Sequence, residues 1–219
     1  MTNQLSFDWP VGVALGPDDF FVSQANAQAY AMMRSPDTWP DRKLVLLGPP
    51  GSGKSHLARI FAEQTGGMVI AAADITADFK ADAATVIIED MATLPAAAEE
   101  AMFHLHNYLR NTGGTLLMTA DAAPSRWPIT LPDLASRMQA TNVTQIASPD
   151  DALLSALIMK LFADRQIMPK PALVTYLTPR IERSFAAAAN IVAQLDQAAL
   201  AQGRKINVKL ARTLLDNPG

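Results

Sequence analysis

The run Gly48-Pro49-Pro50-Gly51-Ser52-Gly53-Lys54-Ser55 sets an ammonium and a hydroxyl at the end of a glycine-rich turn, with the spacing G-x-x-x-x-G-K-[ST]. Glycines let successive backbone N–H groups converge on one concavity, and a following helix adds the positive end of its dipole. Lys54 then offers a point charge to the β- and γ-phosphates of a nucleotide, and Ser55 a hydroxyl ligand for Mg²⁺. His56 directly follows the loop. About 35 residues on, Thr85-Val86-Ile87-Ile88 leads into the carboxylates Glu89 and Asp90. There Glu89 is expected on the Mg²⁺ side and Asp90 is expected to orient an attacking water. The pair is reversed from the usual Asp-Glu order, which shifts each carboxylate by a methylene and predicts slow hydrolysis. Thr119, ending the run Thr115–Thr119, is expected to bond the γ-phosphate or that water. His104 and His106 stand two apart on a predicted helix and cannot face one metal together.

These groups need a scaffold. Lys43–Leu47, Met68–Ala71 and Thr85–Glu89 are short apolar runs, the first typical of a strand buried in a parallel sheet, and Thr115–Thr119 and Asn142–Ile146 are read as two further strands. Helical patterns fall between them, over about 23–34, 54–64 and 95–111. The alternation predicts an α/β fold with a parallel five-stranded sheet. From Ser148 on, only helical patterns remain, over about 149–164, 171–178, 184–202 and 207–215, with Ser148-Pro149-Asp150-Asp151 read as a capping box. The predicted organisation is a tail over 1–19, an α/β nucleotide-binding domain over 20–148 and a small all-helical lid over 149–219. Phe21 and Val22, ahead of the first helix, are placed to touch an adenine or to pack in the core.

Composition narrows the classes. The chain has 219 residues, 49% of them hydrophobic and 18% charged, which excludes an intrinsically disordered protein. It has no cysteine, so disulfides, thiol redox chemistry and Cys-ligated zinc are excluded. A net charge of −3 argues against a protein whose main task is gripping nucleic-acid phosphates. No signal peptide or membrane span is apparent, so a cytoplasmic protein without membrane contact is expected.

The order of phosphate loop, acidic strand end, polar strand end, arginine and helical lid resembles the AAA+ ATPases. Within them the chain resembles the DnaA replication-initiator family, most closely its compact Hda-type branch. Gly53-Lys54-Ser55-His56-Leu57, Leu131-Pro132-Asp133-Leu134-Ala135-Ser136-Arg137, Arg183-Ser184-Phe185 and Leu195-Asp196 carry the likeness. Gln4-Leu5-Ser6-Phe7-Asp8-Trp9 resembles that branch's sliding-clamp peptide, with Phe7 and Trp9 where leucines are usual.

The resemblance implies ADP or ATP as ligand, with Mg²⁺, and Arg137 as an arginine finger. It implies clamp binding through Gln4, Leu5, Phe7 and Trp9, with the sliding clamp (the DNA polymerase III β subunit) and DnaA as partners. It also implies a lid arginine, which one register puts on Arg183 and the other on Ala186. Without room for a DNA-binding helix-turn-helix before Gly219, direct sequence-specific DNA binding is not expected. Homo-oligomerisation stays open. The implied job is negative control of replication initiation, and the alternative is a self-sufficient ATPase of helicase-loader or clamp-loader type.

Overall fold

Apolar runs with no polar alternation bury both faces, and here they do. The computed structural model describes residues 20–216. Strands β1 (Lys43–Leu47), β2 (Met68–Ala71), β3 (Thr85–Glu89), β4 (Thr115–Ala120) and β5 (Val143–Gln145) form one sheet in the order β2-β3-β4-β1-β5. Every neighbouring pair is parallel. The central strands β1 and β4 are buried throughout, whereas the edge strands β2 and β5 keep Val69 and Val143 partly exposed.

Side chains alternate along each strand, so the sheet feeds two cores. Val45, Ile88, Leu116 and Met118 pack against helices α3 (Glu99–Thr112) and α4 (Pro132–Ala140) through Met102, Leu109, Leu134 and Met138. Leu44, Leu46, Ile87 and Leu117 face α1 (Ala27–Met33) and α2 (Lys54–Thr65) through Met33, Leu57 and Phe61. From Asp151 every described element is helical: α5 (Asp151–Ala163), α6 (Pro171–Leu177), α7 (Phe185–Gln202) and α8 (Val208–Asp216). These enclose a third core around Ile158, Phe162, Leu177, Val192 and Leu195. Leu153 of α5 and Phe185 of α7 instead join the α2-side core, which seats the starts of those helices on the sheet.

Two helix starts differ from the sequence expectation. The first helix begins at Ala27 after a turn, because Asn26 donates its side-chain amide to the Phe21 carbonyl and accepts the Ser23 N–H. Asp150, not Ser148, caps α5, and Pro149 precedes the helix. Its Oδ1 accepts the Leu153 N–H at 2.8 Å and its Oδ2 the Ala25 N–H at 3.4 Å. Burial pushes this carboxyl's pKa up, but the donors around it hold it below the usual carboxylate range. One side chain thus caps α5 and ties it to the segment before α1.

Candidate functional site

Strand β1 ends at Leu47, and the chain folds through the loop before α2 starts at Lys54. Gly53 sits at φ 91°, a region costly for a side chain, and a Cβ there would also come within 3.3 Å of the Phe20 ring. A Cβ on Gly48 would stand 2.5 Å from Ser52 Oγ. The loop therefore closes on its own backbone, with Ser52 N–H donating to the Pro49 carbonyl at 3.1 Å. Ser52 is 5% exposed and its hydroxyl has no partner. Gly51 and Pro50 lie on the exposed rim, and Ser55 is exposed one residue into α2.

Lys54 is 7% exposed, and its ammonium donates to the carbonyls of Gly48 at 2.8 Å and Pro49 at 3.1 Å. Its third donor meets Asp121 Oδ1 at 2.6 Å. A buried cation needs such partners, and only Asp121, half exposed, is one that an incoming anion can displace. Sequence reasoning missed Asp121, which follows directly on β4. Strand pairing places it: β4 lies beside β1 with Leu47 opposite Ala120, so the residue after Ala120 comes beside the loop, and the sequence carries no signal of that pairing.

The acidic strand end lies one strand away. Glu89 closes β3, and its Oε1 is buried without a partner. Asp90 turns into the left-handed region at φ 56°, and its N–H donates to Thr119 Oγ1 at 3.1 Å. Thr119 is 1% exposed, so its hydroxyl meets the Asp90 backbone rather than solvent. His56 has no partner for Nε2 and meets the Phe20 ring edge-on. Phe20 is the aromatic set against the loop, and Phe21 packs against the α2-side core, one of the two placements expected for it.

Arg137 lies elsewhere. Its guanidinium stands 4.9 Å over the Phe103 ring, close enough to Lys43 and His106 to disfavour their charged forms. Lys43 opens β1 and the phosphate loop follows its end, about 13 Å along the strand. Arg137 thus sits at the amino end of the sheet, away from its own loop. Burial, with the cations Lys43, Arg137 and Arg110, pushes the His106 pKa down to about 4. Helix α4 is anchored by a residue that sequence reasoning also missed. Glu99 is 3% exposed and accepts the N–H groups of Thr130 and Leu131 and the Thr130 hydroxyl. Burial raises its pKa, but these donors more than offset that and hold it low.

Phe185, opening α7, reaches the loop: a Cβ on Gly51 would stand 3.5 Å from Phe185 Cβ. Ala186, next in α7, is exposed. Arg183 forms a bidentate, exposed pair with Asp151 at 2.9 and 3.1 Å. Gln4, Leu5, Phe7 and Trp9 lie outside the described residues. Among the described residues no group of three or more His, Cys, Asp or Glu could hold a metal, and no helix is long and apolar enough to cross a membrane. What the loop offers is a backbone cradle, a buried unpaired hydroxyl and a fixed cation, a donor set suited to a polyphosphate.

No family model matches the chain. In sequence it is similar to the chromosomal replication initiator protein DnaA of Cutibacterium acnes, 21% identical over 225 residues, covering 90% of this chain and 45% of that protein. The chain therefore spans about half the length of that curated relative. Domain III of the Thermotoga maritima replication initiation protein DnaA superposes with a TM-score of 0.72 at 19% identity, covering 95% of this chain and 98% of that one. AMPPCP-bound DnaA from Aquifex aeolicus gives 0.66 at 14% identity, over 84% and 66%. The fold is the AAA+ fold of DnaA domain III.

Proposed function

We propose that the chain binds ADP or ATP in the Gly48–Ser55 loop and acts as an Hda-type regulator of replication initiation. The observation that carries this is the buried Lys54 ammonium, held by two loop carbonyls and a displaceable carboxylate. The loop N–H groups and Lys54 would hold the phosphates, with Ser52 Oγ as a further polar contact. Phe20 and His56 would flank the base side. The likeness to DnaA structures solved with AMPPCP supports an adenine nucleotide. Ser55 and Glu89 fit Mg²⁺ only as a metal carried in by phosphate, since no cluster among the described residues is sufficient alone.

Arg137 would serve a partner, not its own loop. A guanidinium seated on Phe103 at the opposite end of the sheet would not reach its own nucleotide and would be offered to a neighbouring molecule instead. Docked on the sliding clamp through Gln4, Leu5, Phe7 and Trp9, the chain would offer Arg137 to ATP-bound DnaA and accelerate hydrolysis there. Such a finger is worth about 10³–10⁵ in rate. In its own site the nucleotide would be a stable ligand rather than fuel.

Calorimetric titration with ADP and ATP tests the loop, and saturating ligand at 100 times its Kd should add about 2.7 kcal/mol of stability. Lys54→Ala should abolish both effects; unchanged binding refutes the site. Arg137→Ala should keep nucleotide and clamp binding yet lose stimulation of DnaA hydrolysis, and retained stimulation refutes the finger. Turnover by the pure protein within seconds would favour the self-sufficient ATPase instead.

A further inference from the structure

Charge is divided unevenly along this acidic chain. From residue 149 on there are nine Lys and Arg against six Asp and Glu, while the preceding residues carry nine against fifteen. Within the helical part, most carboxylates are already engaged. Asp150 caps α5, Asp151 holds Arg183, Asp164 holds Lys160 and Asp196 holds Arg165. Arg180, Arg204, Lys205, Lys209 and Arg212 are exposed, and none forms an ion pair with a described carboxylate.

Helix α8, the turn after α6 and the connection that leads into α8 carry these cations. Tyr176, near the end of α6, has the Arg180 guanidinium 4.1 Å from its ring centre and that of Arg212, from α8, at 6.0 Å. Arg180 also donates to the Tyr176 carbonyl at 3.0 Å, which fixes its fork. Lys209 is three residues before Arg212, hence on the same side of α8. Arg204 and Lys205 lie in the short connection that leads into α8. Two guanidiniums sharing one ring repel each other, and neither Glu182, two residues after Arg180, nor Asp216, one turn after Arg212, pairs with them. An outside polyanion would relieve that repulsion.

We infer that this Tyr176-centred face of the helical part is a docking surface for the phosphate backbone of duplex DNA, read without sequence preference. Arginine forks match phosphate oxygens, and cations spread over α8 and two connecting segments suit a repeating anion rather than one carboxylate. The Tyr176 ring is already engaged by guanidiniums, so the base stacking that holds single strands is not on offer. The surface is remote from the nucleotide loop in sequence and in role, and it stands whether or not that loop binds nucleotide.

The test is fluorescence anisotropy of the full chain with a labelled duplex of arbitrary sequence, about 30 bp long. Four or five phosphate contacts predict a log–log salt slope near −4, so affinity falls about a hundredfold or more between roughly 50 and 200 mM salt. Arg180→Gln with Arg212→Gln should lower that slope by about two. Lys80→Gln, an exposed cation in the other part of the chain, should leave the slope alone. All these side chains are exposed, so the variants should unfold at the same temperature as the parent. Absence of duplex binding at the lowest salt, an unchanged slope in the double variant, or equal loss in Lys80→Gln overturns the inference. So does tighter binding of a single strand of equal length. Concentration-dependent self-association that the double variant abolishes, without duplex binding, would assign the face to carboxylates of a second copy and also overturn it.

Discussion

The two ends of the sheet hold their cations in opposite ways. At the carboxyl end Lys54 is buried, bonded to two carbonyls, and neutralised by Asp121. At the amino end Lys43, Arg110 and Arg137 crowd round a neutral His106, with Asp41 the one nearby carboxylate acting on it. Lys43 is itself buried, and burial, with Arg110 and Arg137, holds its pKa below the usual ammonium value despite Asp41. One end is satisfied from within and opens to a ligand by exchange. The other keeps a surplus of positive charge that points away from the molecule's own loop. A parallel sheet sends every strand the same way, so its two ends can be specialised independently. The carboxyl end holds one buried, paired cation, and the amino end several cations around an uncharged imidazole.

Removing Glu99 should disturb the amino end most. Its buried carboxylate anchors the segment that aims α4, so Glu99→Ala should cost about 3–4 kcal/mol in urea unfolding. A loss below about 1 kcal/mol would mean that α4 is held by its apolar face alone. Next in size is the pH response of His106. Its folded pKa is about 4 against about 6.5 when unfolded, so the unfolded chain binds more protons between those values. Stability should therefore be level above pH 6.5 and fall through the window down to pH 4, by at most about 3 kcal/mol. His106→Gln should flatten that decline; an unaltered profile would show that burial and the surrounding cations do not lower the imidazole's pKa.

At the carboxyl end, Asp121→Asn should remove about 1 kcal/mol of repulsion towards phosphate and tighten metal-free ATP about fivefold by calorimetry. Weaker binding would instead make Asp121 the group that orients Lys54. The smallest effect belongs to the exposed Arg183–Asp151 pair. Arg183→Ala should change stability by about 0.5 kcal/mol or less and leave ADP affinity unaltered. A tenfold loss of affinity would bring Arg183 into the site after all.

Elements governed by local pattern were legible. The central strands read from continuous apolar runs, and β1, β2 and β3 match their expected bounds. Helix α2 extends one residue beyond its expected end, and the glycine loop takes the conformation its spacing required. Choices between equivalent local signals were not legible. Ser148 and Asp150 are both good caps, and Asp150 wins because its second oxygen reaches the Ala25 N–H, 125 residues away. Thr119 was expected at a phosphate, yet its hydroxyl is bonded to the Asp90 backbone because β3 and β4 are neighbours.

The amino-acid order by itself determined the strand and helix alternation and the glycine-rich turn between β1 and α2, since both follow from short-range sterics and burial. Only the tertiary structure decided which carboxylate holds Lys54, which one fastens α4, and at which end of the sheet Arg137 stands. These depend on strand order and helix seating, which bring together residues tens of positions apart. Hydrogen bonds and Coulomb forces act over a few ångströms of space, whatever the separation along the chain.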